Sequence, residues 1–233
     1  MGEAWVDMIG NMRWMLAIDT CGNAGGVALV ELSAEGAEYR VAAERTLPGR
    51  ETQEQLMVAI TEVLAVEGLT PGAVDVLGVV TGPGSFTGVR IGLAAVKGLA
   101  EALGSSVVGV SRLAVLAAQA DTAGAVTAWL DAGRGDVFVG RYADGVCRGE
   151  WMATGADSVE ALTAGEPLVV MEEALASRVA AARLVPSVGV REALPLLVRR
   201  VRAQDFADIA LLDANYLRVP DAELARLRAM VQG

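Results

Sequence analysis

The chain has 233 residues, of which 53% are hydrophobic and only 4% aromatic, so its interior must be built from Ala, Val and Leu in tightly packed layers. Its formal net charge of −10 argues against a protein that holds a polyanion by itself, because nucleic-acid affinity comes largely from Lys and Arg. It contains no histidine, so the commonest general base and the commonest metal ligand are both missing.

The beginning of the chain and its cysteines predict a cytoplasmic protein. Residues 1–13 lack a basic start followed by an apolar stretch, so no signal peptide is expected. No segment approaches the roughly 18 consecutive apolar residues that a membrane helix needs. Cys21 and Cys147 lie far apart and match no metal spacing, which is typical of isolated thiols in a reducing compartment.

The first half of the chain predicts a sheet with helices packed on it. Strands are expected at 15–19, 26–32, 39–47, 74–81 and 107–110, and helices at 52–67, 87–103 and 111–120. The first strand ends on Asp19, and the turn at 20–25 joins it to the second strand as a hairpin with a polar tip.

The pattern starts again in the second half. Strands are expected at 125–130, 136–142 and 145–152, and helices near 158–164, 172–182 and 192–202 can cover this second sheet. Asp131 follows a buried strand and precedes a glycine-containing turn, as Asp19 does. The repetition predicts two lobes facing each other across a cleft, at 12–122 and 123–233, after an N-terminal extension at 1–11. The C-terminal helix is free to pack back on the first lobe.

The most informative stretch joins a buried strand to a helix through a glycine-rich turn, GPGSFTGVRIG at 82–92. Gly84 permits backbone torsions closed to other residues, and Ser85 or Thr87 can cap the helix, whose first N–H groups would then face a negative ligand. Arg90 opposes the helix dipole, so it has either a functional partner or solvent around it. The spacing fits neither a Walker A loop nor a dinucleotide fingerprint, and close packing at a strand-to-helix corner explains the glycines as well as ligand contact does.

Asp19 and Asp131 allow a second interpretation of the strand ends. Together with Thr20 they would form an anion or nucleotide site, in which the two carboxylates coordinate a metal ion. Aspartates are also ordinary turn formers after strands, and this structural interpretation is favoured.

Two predicted helices carry more apolar residues than one core-facing stripe needs. The residues off the stripe are Val58, Val66 and Leu69 at the helix 52–67, and Ile91 on the helix 87–103. Gly88 and Gly92 would let another helix approach closely. In one interpretation the same lobe covers these residues, and in the other, which the composition favours, they form a surface for a partner protein.

Residues 82–92 closely resemble the signature of the TsaB family, bacterial tRNA threonylcarbamoyladenosine biosynthesis proteins that are inactive glycoprotease-like paralogues of TsaD. Further similar segments cover the chain from about Met12 and are found at 17–20, 109–111, 131–132, 135–138 and 216–218. The resemblance implies an α/β protein with the actin/Hsp70/sugar-kinase-like (ASKHA) fold, built of two RNase H-like lobes.

The resemblance also implies a role without catalysis. TsaB-like proteins pair with the transferase subunit TsaD through helices that correspond to 52–67 and 87–103, and they work with the ATPase TsaE. The complex installs threonylcarbamoyl on the adenosine beside the anticodon of tRNAs that read codons beginning with A. This subunit is then expected to reach tRNA only through the complex and to form a homodimer when alone. It is expected to have no catalytic residue, metal or cofactor of its own, with ATP or ADP and Mg at the shared interface.

Three departures from the family pattern bear on nucleotide binding. Glu51–Thr52, Cys21–Gly22 and Gly133–Arg134 stand where members have other residues, which weakens the case for a nucleotide in the cleft. The alternative function is an ASKHA-type ATP-dependent small-molecule kinase or carbamoyltransferase, in which Asp19 and Asp131 hold the metal–nucleotide. TsaD relatives hold their metal with histidines, which this chain lacks, and a peptidase would likewise have no histidine to pair with Ser85.

Overall fold

The structure is a computed structural model that describes residues 13–33, 38–48, 52–120, 122–154, 157 and 159–217. The predicted extension at 1–11, the first residue of the helix predicted at 158–164, the predicted C-terminal helix, and Glu51 and Arg218 lie outside the described residues. The described chain forms two compact units, one of residues up to 115 with 186–214, and one of residues 116–185 with 215–217.

The first unit is built on a five-stranded mixed sheet. Its strands are β1 (Trp14–Asp19), β2 (Ala24–Leu32), β3 (Tyr39–Pro48), β4 (Val76–Val80) and β5 (Ser106–Val110), in the order β3-β2-β1-β4-β5. The first three are antiparallel neighbours, whereas β4 and β5 run parallel to β1. Its helices are α1 (Thr52–Val66), a 3₁₀ turn (Pro71–Ala73), α2 (Phe86–Leu103), the first part of α3 (Arg112–Ala118), and α6 (Val190–Arg202).

Strands β1 and β4 are buried along their whole length, because helices cover both faces of this sheet. The crossover helices α1 and α2 contact each other on one face, and α6 packs on β1, β2, β4 and β5 from the other. Small residues let α6 come close: a Cβ at Gly26 would lie 2.7 Å from Val190 Cγ1, and one at Gly78 would lie 3.0 Å from Leu197 Cδ1. The prediction that the helix 192–202 covers the second sheet is therefore wrong, because its apolar stripe fits the glycine-bearing face of the first.

The second unit repeats this topology with shorter elements. Its strands are β6 (Ala125–Gly133), β7 (Asp136–Ala143), β8 (Val146–Ala153), β9 (Leu168–Val170) and β10 (Arg183–Leu184), in the order β10-β9-β6-β7-β8. As in the first unit, three antiparallel strands are followed by two that run parallel to the first. Two short helices are α4 (Val159–Thr163) and α5 (Glu173–Ala176). The core of this unit contains Trp129, Val137, Val139, Ala153, Leu162, Leu168, Val170 and Leu175.

The second unit departs most from the predicted elements. Strand β6 does not end before Asp131 but continues through an irregularity to Gly133, and the helix predicted at 172–182 is only four residues long. The strands β9 and β10 are too short to give a periodic signal, and no prediction was made for them. The division between the units falls inside α3, after Val115, a few residues before the predicted boundary at 122.

Candidate functional site

The glycine-rich turn places α2 directly on the turn between β1 and β2. A Cβ at Gly84 would lie well under 3.0 Å from the carbonyl oxygen of Cys21, and one at Gly88 would meet the carbonyl oxygen of Thr20 in the same way. At Gly92 the obstacle is the Thr20 hydroxyl oxygen. Because a side chain at any of these three points would run into Cys21 or Thr20, close packing accounts for the glycines.

Hydrogen bonds fasten the same two segments together. The Thr20 hydroxyl donates to the Gly88 carbonyl at 2.6 Å, and the Ser85 N–H donates to the Cys21 carbonyl at 2.8 Å. The Ser85 hydroxyl caps α2 by accepting the Gly88 N–H at 3.2 Å. Part of the predicted anion-binding backbone is therefore used by the chain itself, while Gly84 and Thr87 remain exposed at the surface.

The orientation of two of these glycines corrects the sequence-based interpretation. Gly88 and Gly92 are buried and face Thr20 of their own unit. They allow a close approach, as expected, but the approaching segment is the β1–β2 turn and not a helix of a partner. The sequence could not reveal this, because a small residue on a helix marks a close contact without identifying the neighbour.

Asp19 and Cys21 are buried beside this turn. Asp19 is 2% exposed and accepts the Cys21 N–H at 2.8 Å. Burial raises the pKa of the Asp19 carboxyl, and the nearby positive charge of Arg112 only partly opposes this. Burial also raises the pKa of the Cys21 thiol well above its ordinary value, and the thiol donates to the Val80 carbonyl at 3.2 Å. Both groups are thus withdrawn from solvent and hydrogen-bonded to the backbone of the first unit.

Asp131, in the second unit, is exposed and acts as a turn former. Its carboxylate accepts the Gly133 N–H at 2.8 Å, and its own N–H donates to Glu172 at 3.5 Å. Glu172 follows β9 and was not singled out from the sequence, because that short strand was not predicted. Within the described ranges, no three His, Cys, Asp or Glu side chains are grouped so that they could hold a metal ion.

Helix α1 presents apolar side chains to the surface. Val58 and Val66 are 56% and 64% exposed, Met57 is exposed beside them, and Leu69 is half-buried just beyond the helix. The core-facing stripe of Leu56, Ile60 and Val63 is buried, as predicted. The surplus of apolar residues on this helix is therefore not covered within the first unit.

The neighbouring helix α2 continues this surface. Ile91 of this helix is half-buried. The surface of α2 is also open at the exposed Gly98, where an added Cβ would meet nothing within 4 Å. Phe86 is 56% exposed, and the Arg90 guanidinium carbon stacks 3.6 Å from its ring centroid. We call the exposed or half-buried apolar side chains of these two contacting helices, Met57, Val58 and Val66 of α1 and Phe86 and Ile91 of α2, the helix-pair face.

Each unit thus has the RNase H-like arrangement, a mixed sheet with its first strand at the centre, and two such units in one chain define the actin-like class of α/β proteins. The family model of TsaD, tRNA N6-adenosine threonylcarbamoyltransferase, matches residues 46–211. The chain belongs to this family and, within it, to the TsaB group.

Two relatives and one solved structure are similar to this chain. An uncharacterised protein of Mycobacterium tuberculosis strain H37Rv is 33% identical over 211 residues, which are 90% of this chain and 93% of that protein. The tRNA threonylcarbamoyladenosine biosynthesis protein TsaB of Escherichia coli K12 is 33% identical over 142 residues, 58% of this chain and 59% of that protein. The solved structure of YeaZ from Pseudomonas aeruginosa has a TM-score of 0.71 at 26% identity, covering 88% of this chain and 100% of that one.

Proposed function

We propose that this chain is a non-catalytic subunit of the machinery that makes threonylcarbamoyladenosine in tRNA, and that it acts by docking its helix-pair face on a TsaD-like transferase subunit. The names of its TsaB relatives and the TsaD family model support the pathway. The observation that carries the docking role is the pair of adjacent helices whose apolar side chains lie open to solvent.

Two features support a role without catalysis: the sequence has no histidine, and Asp19 and Cys21 are buried with raised pKa values. The net charge of −10 separately disfavours direct binding of tRNA. In this proposal tRNA is bound through the complex, a TsaE-like ATPase completes the assembly in the cytoplasm, and the isolated chain forms a homodimer through the helix-pair face.

The residues around Asp19 do not fit a metal–nucleotide within the first unit, since the carboxyl is buried and accepts a backbone N–H. We therefore place ATP or ADP with Mg at the interface with the transferase. The same burial of Asp19, and the turn-forming role of Asp131, mean that the alternative of a small-molecule kinase or carbamoyltransferase gains no support from the described residues. Among the described residues, none of the helices has the length and hydrophobicity of a membrane span.

The test introduces a charge on each helix of the helix-pair face. Val58→Asp and Ile91→Asp should leave the isolated chain folded and abolish co-purification with the TsaD-like subunit, because an interface core does not accept an unpaired carboxylate. We expect a loss of affinity of about 30-fold or more. Leu211→Asp is the matched control, since Leu211 is 80% exposed outside this face.

Two readouts complete the experiment. Modified nucleoside in tRNA, measured by mass spectrometry after reaction of the partner proteins with each variant, should fall with Val58→Asp and not with Leu211→Asp. Unchanged complex formation by both face variants would contradict the docking role. Tight binding of Mg-ATP to the isolated chain, lost on Asp19→Ala, would favour the kinase alternative instead.

A further inference from the structure

Two of the three glycines that seat α2 on the β1–β2 turn meet Thr20, whereas Gly84 meets Cys21. Thr20 contributes its carbonyl oxygen at Gly88 and its hydroxyl at Gly92, and the hydroxyl also donates to the Gly88 carbonyl. Because both glycines lack side chains, α2 rests on Thr20 itself at these two points. Val89 in the same turns, and Leu93, Val96 and Ala100 farther along the helix, are buried as well.

The sides of the same helical turns that do not face Thr20 carry part of the helix-pair face. Ile91 precedes Gly92 directly, and Phe86 and Arg90 stack on each other within the turns that Thr20 supports. Neighbouring residues of a helix point about 100° apart and move together with the helix, so the packing of Gly92 against Thr20 also determines the position of Ile91. If Gly88 and Gly92 move closer to Thr20 or farther from it, Ile91 therefore moves with them.

Thr20 cannot take part in docking by contact, since it is 3% exposed. We propose that Thr20 is a positioning residue for partner recognition: it sets the depth of the N-terminal half of α2 and so the height at which Ile91 and the Phe86–Arg90 stack meet the transferase subunit. This inference rests on the proposed function for its partner, but the positioning itself is a property of the isolated chain.

Four variants separate positioning from general stability. Thr20→Val keeps the shape and removes the hydroxyl, and Thr20→Ser keeps the hydroxyl. Gly92→Ala places a methyl group against the hydroxyl oxygen, and Thr20→Ala combined with Gly92→Ala removes that obstacle, leaving Cβ of residue 20 at 3.5 Å. Leu175→Ala, in the core of the second unit, is the control that lowers stability without touching α2.

The first measurement is affinity for the cognate TsaD-like subunit by calorimetry, with the melting temperature recorded for each variant. Thr20→Val should weaken binding about three- to tenfold, as expected for one hydrogen bond, and Thr20→Ser should bind as the unaltered chain does. Gly92→Ala should weaken binding more than Thr20→Val does, and the double variant, which still lacks the hydroxyl, should return to the level of Thr20→Val. Unaltered binding by Thr20→Val and Gly92→Ala would overturn the inference, as would an equal loss with Leu175→Ala.

The second measurement needs no partner. Hydrogen exchange of the amides at 86–92 in the isolated chain should become faster in Thr20→Val and stay unchanged in Thr20→Ser. If the unaltered chain fails to bind the transferase subunit, the docking function fails, and exchange still decides whether Thr20 positions α2. Unchanged exchange in Thr20→Val would overturn the positioning role whatever the partner does.

Discussion

The same substitution at two glycines of α2 should have opposite effects on the stability of the chain: Gly88→Ala should lower it and Gly98→Ala should raise it. At Gly88 the new methyl group would lie far inside contact distance of the Thr20 carbonyl, and a backbone obstacle cannot rotate away as a side chain can. Overpacking costs about 1–3 kcal/mol, and this site belongs at the upper end. At Gly98 nothing lies within 4 Å, so the better helix propensity of Ala stabilises the chain by about 0.8–1.0 kcal/mol.

Urea unfolding of the isolated chain, followed by circular dichroism, measures both changes on one scale. The two variants should differ by about 4 kcal/mol, which corresponds to roughly 8–16 °C in melting temperature for a chain of this size. If Gly88→Ala proved as stable as the unaltered chain, α2 would not rest on the β1–β2 turn, and the packing explanation of the glycine-rich turn would be refuted. A loss of stability in Gly98→Ala would show that this side of α2 is covered in the isolated chain.

Three further predictions concern buried groups. Cys147 is exposed and Cys21 is buried, so a thiol reagent should modify one cysteine in the folded chain and both in urea. Leu197→Ala should cost about 2–5 kcal/mol in urea unfolding, since Leu197 is buried against the first sheet; a cost near zero would contradict the placement of α6. Because the folded pKa of Asp19 is raised above 3.8, its contribution to stability is full below that pH and is lost as the pH rises through the folded pKa. The stability of the unaltered chain relative to Asp19→Asn should therefore fall as the pH rises from about 4, and a rise would refute this.

Local sequence patterns were sufficient for most of the first unit. Strands β1 to β5 and helices α1 and α2 lie within one or two residues of their predicted bounds, because each has a clear apolar period and a glycine, proline or polar residue at its ends. The repeated strand–aspartate–turn unit also predicted the second sheet, and its topology repeats that of the first. Of the two caps that the sequence offered for α2, Ser85 and Thr87, the structure selects Ser85, whose capping contact spans only three residues.

The sequence by itself thus determined the two-unit architecture and the surplus apolar surface of α1 and α2, because both follow from periodicity within a segment. Only the tertiary structure decided what each small or charged residue meets. It placed α6 on the first sheet, turned Gly88 and Gly92 inward to Thr20, and buried Asp19 beside Arg112. These pairings join residues far apart in the chain, and the physical reason they escape prediction is that a local pattern fixes which way a side chain points and not which distant segment lies there.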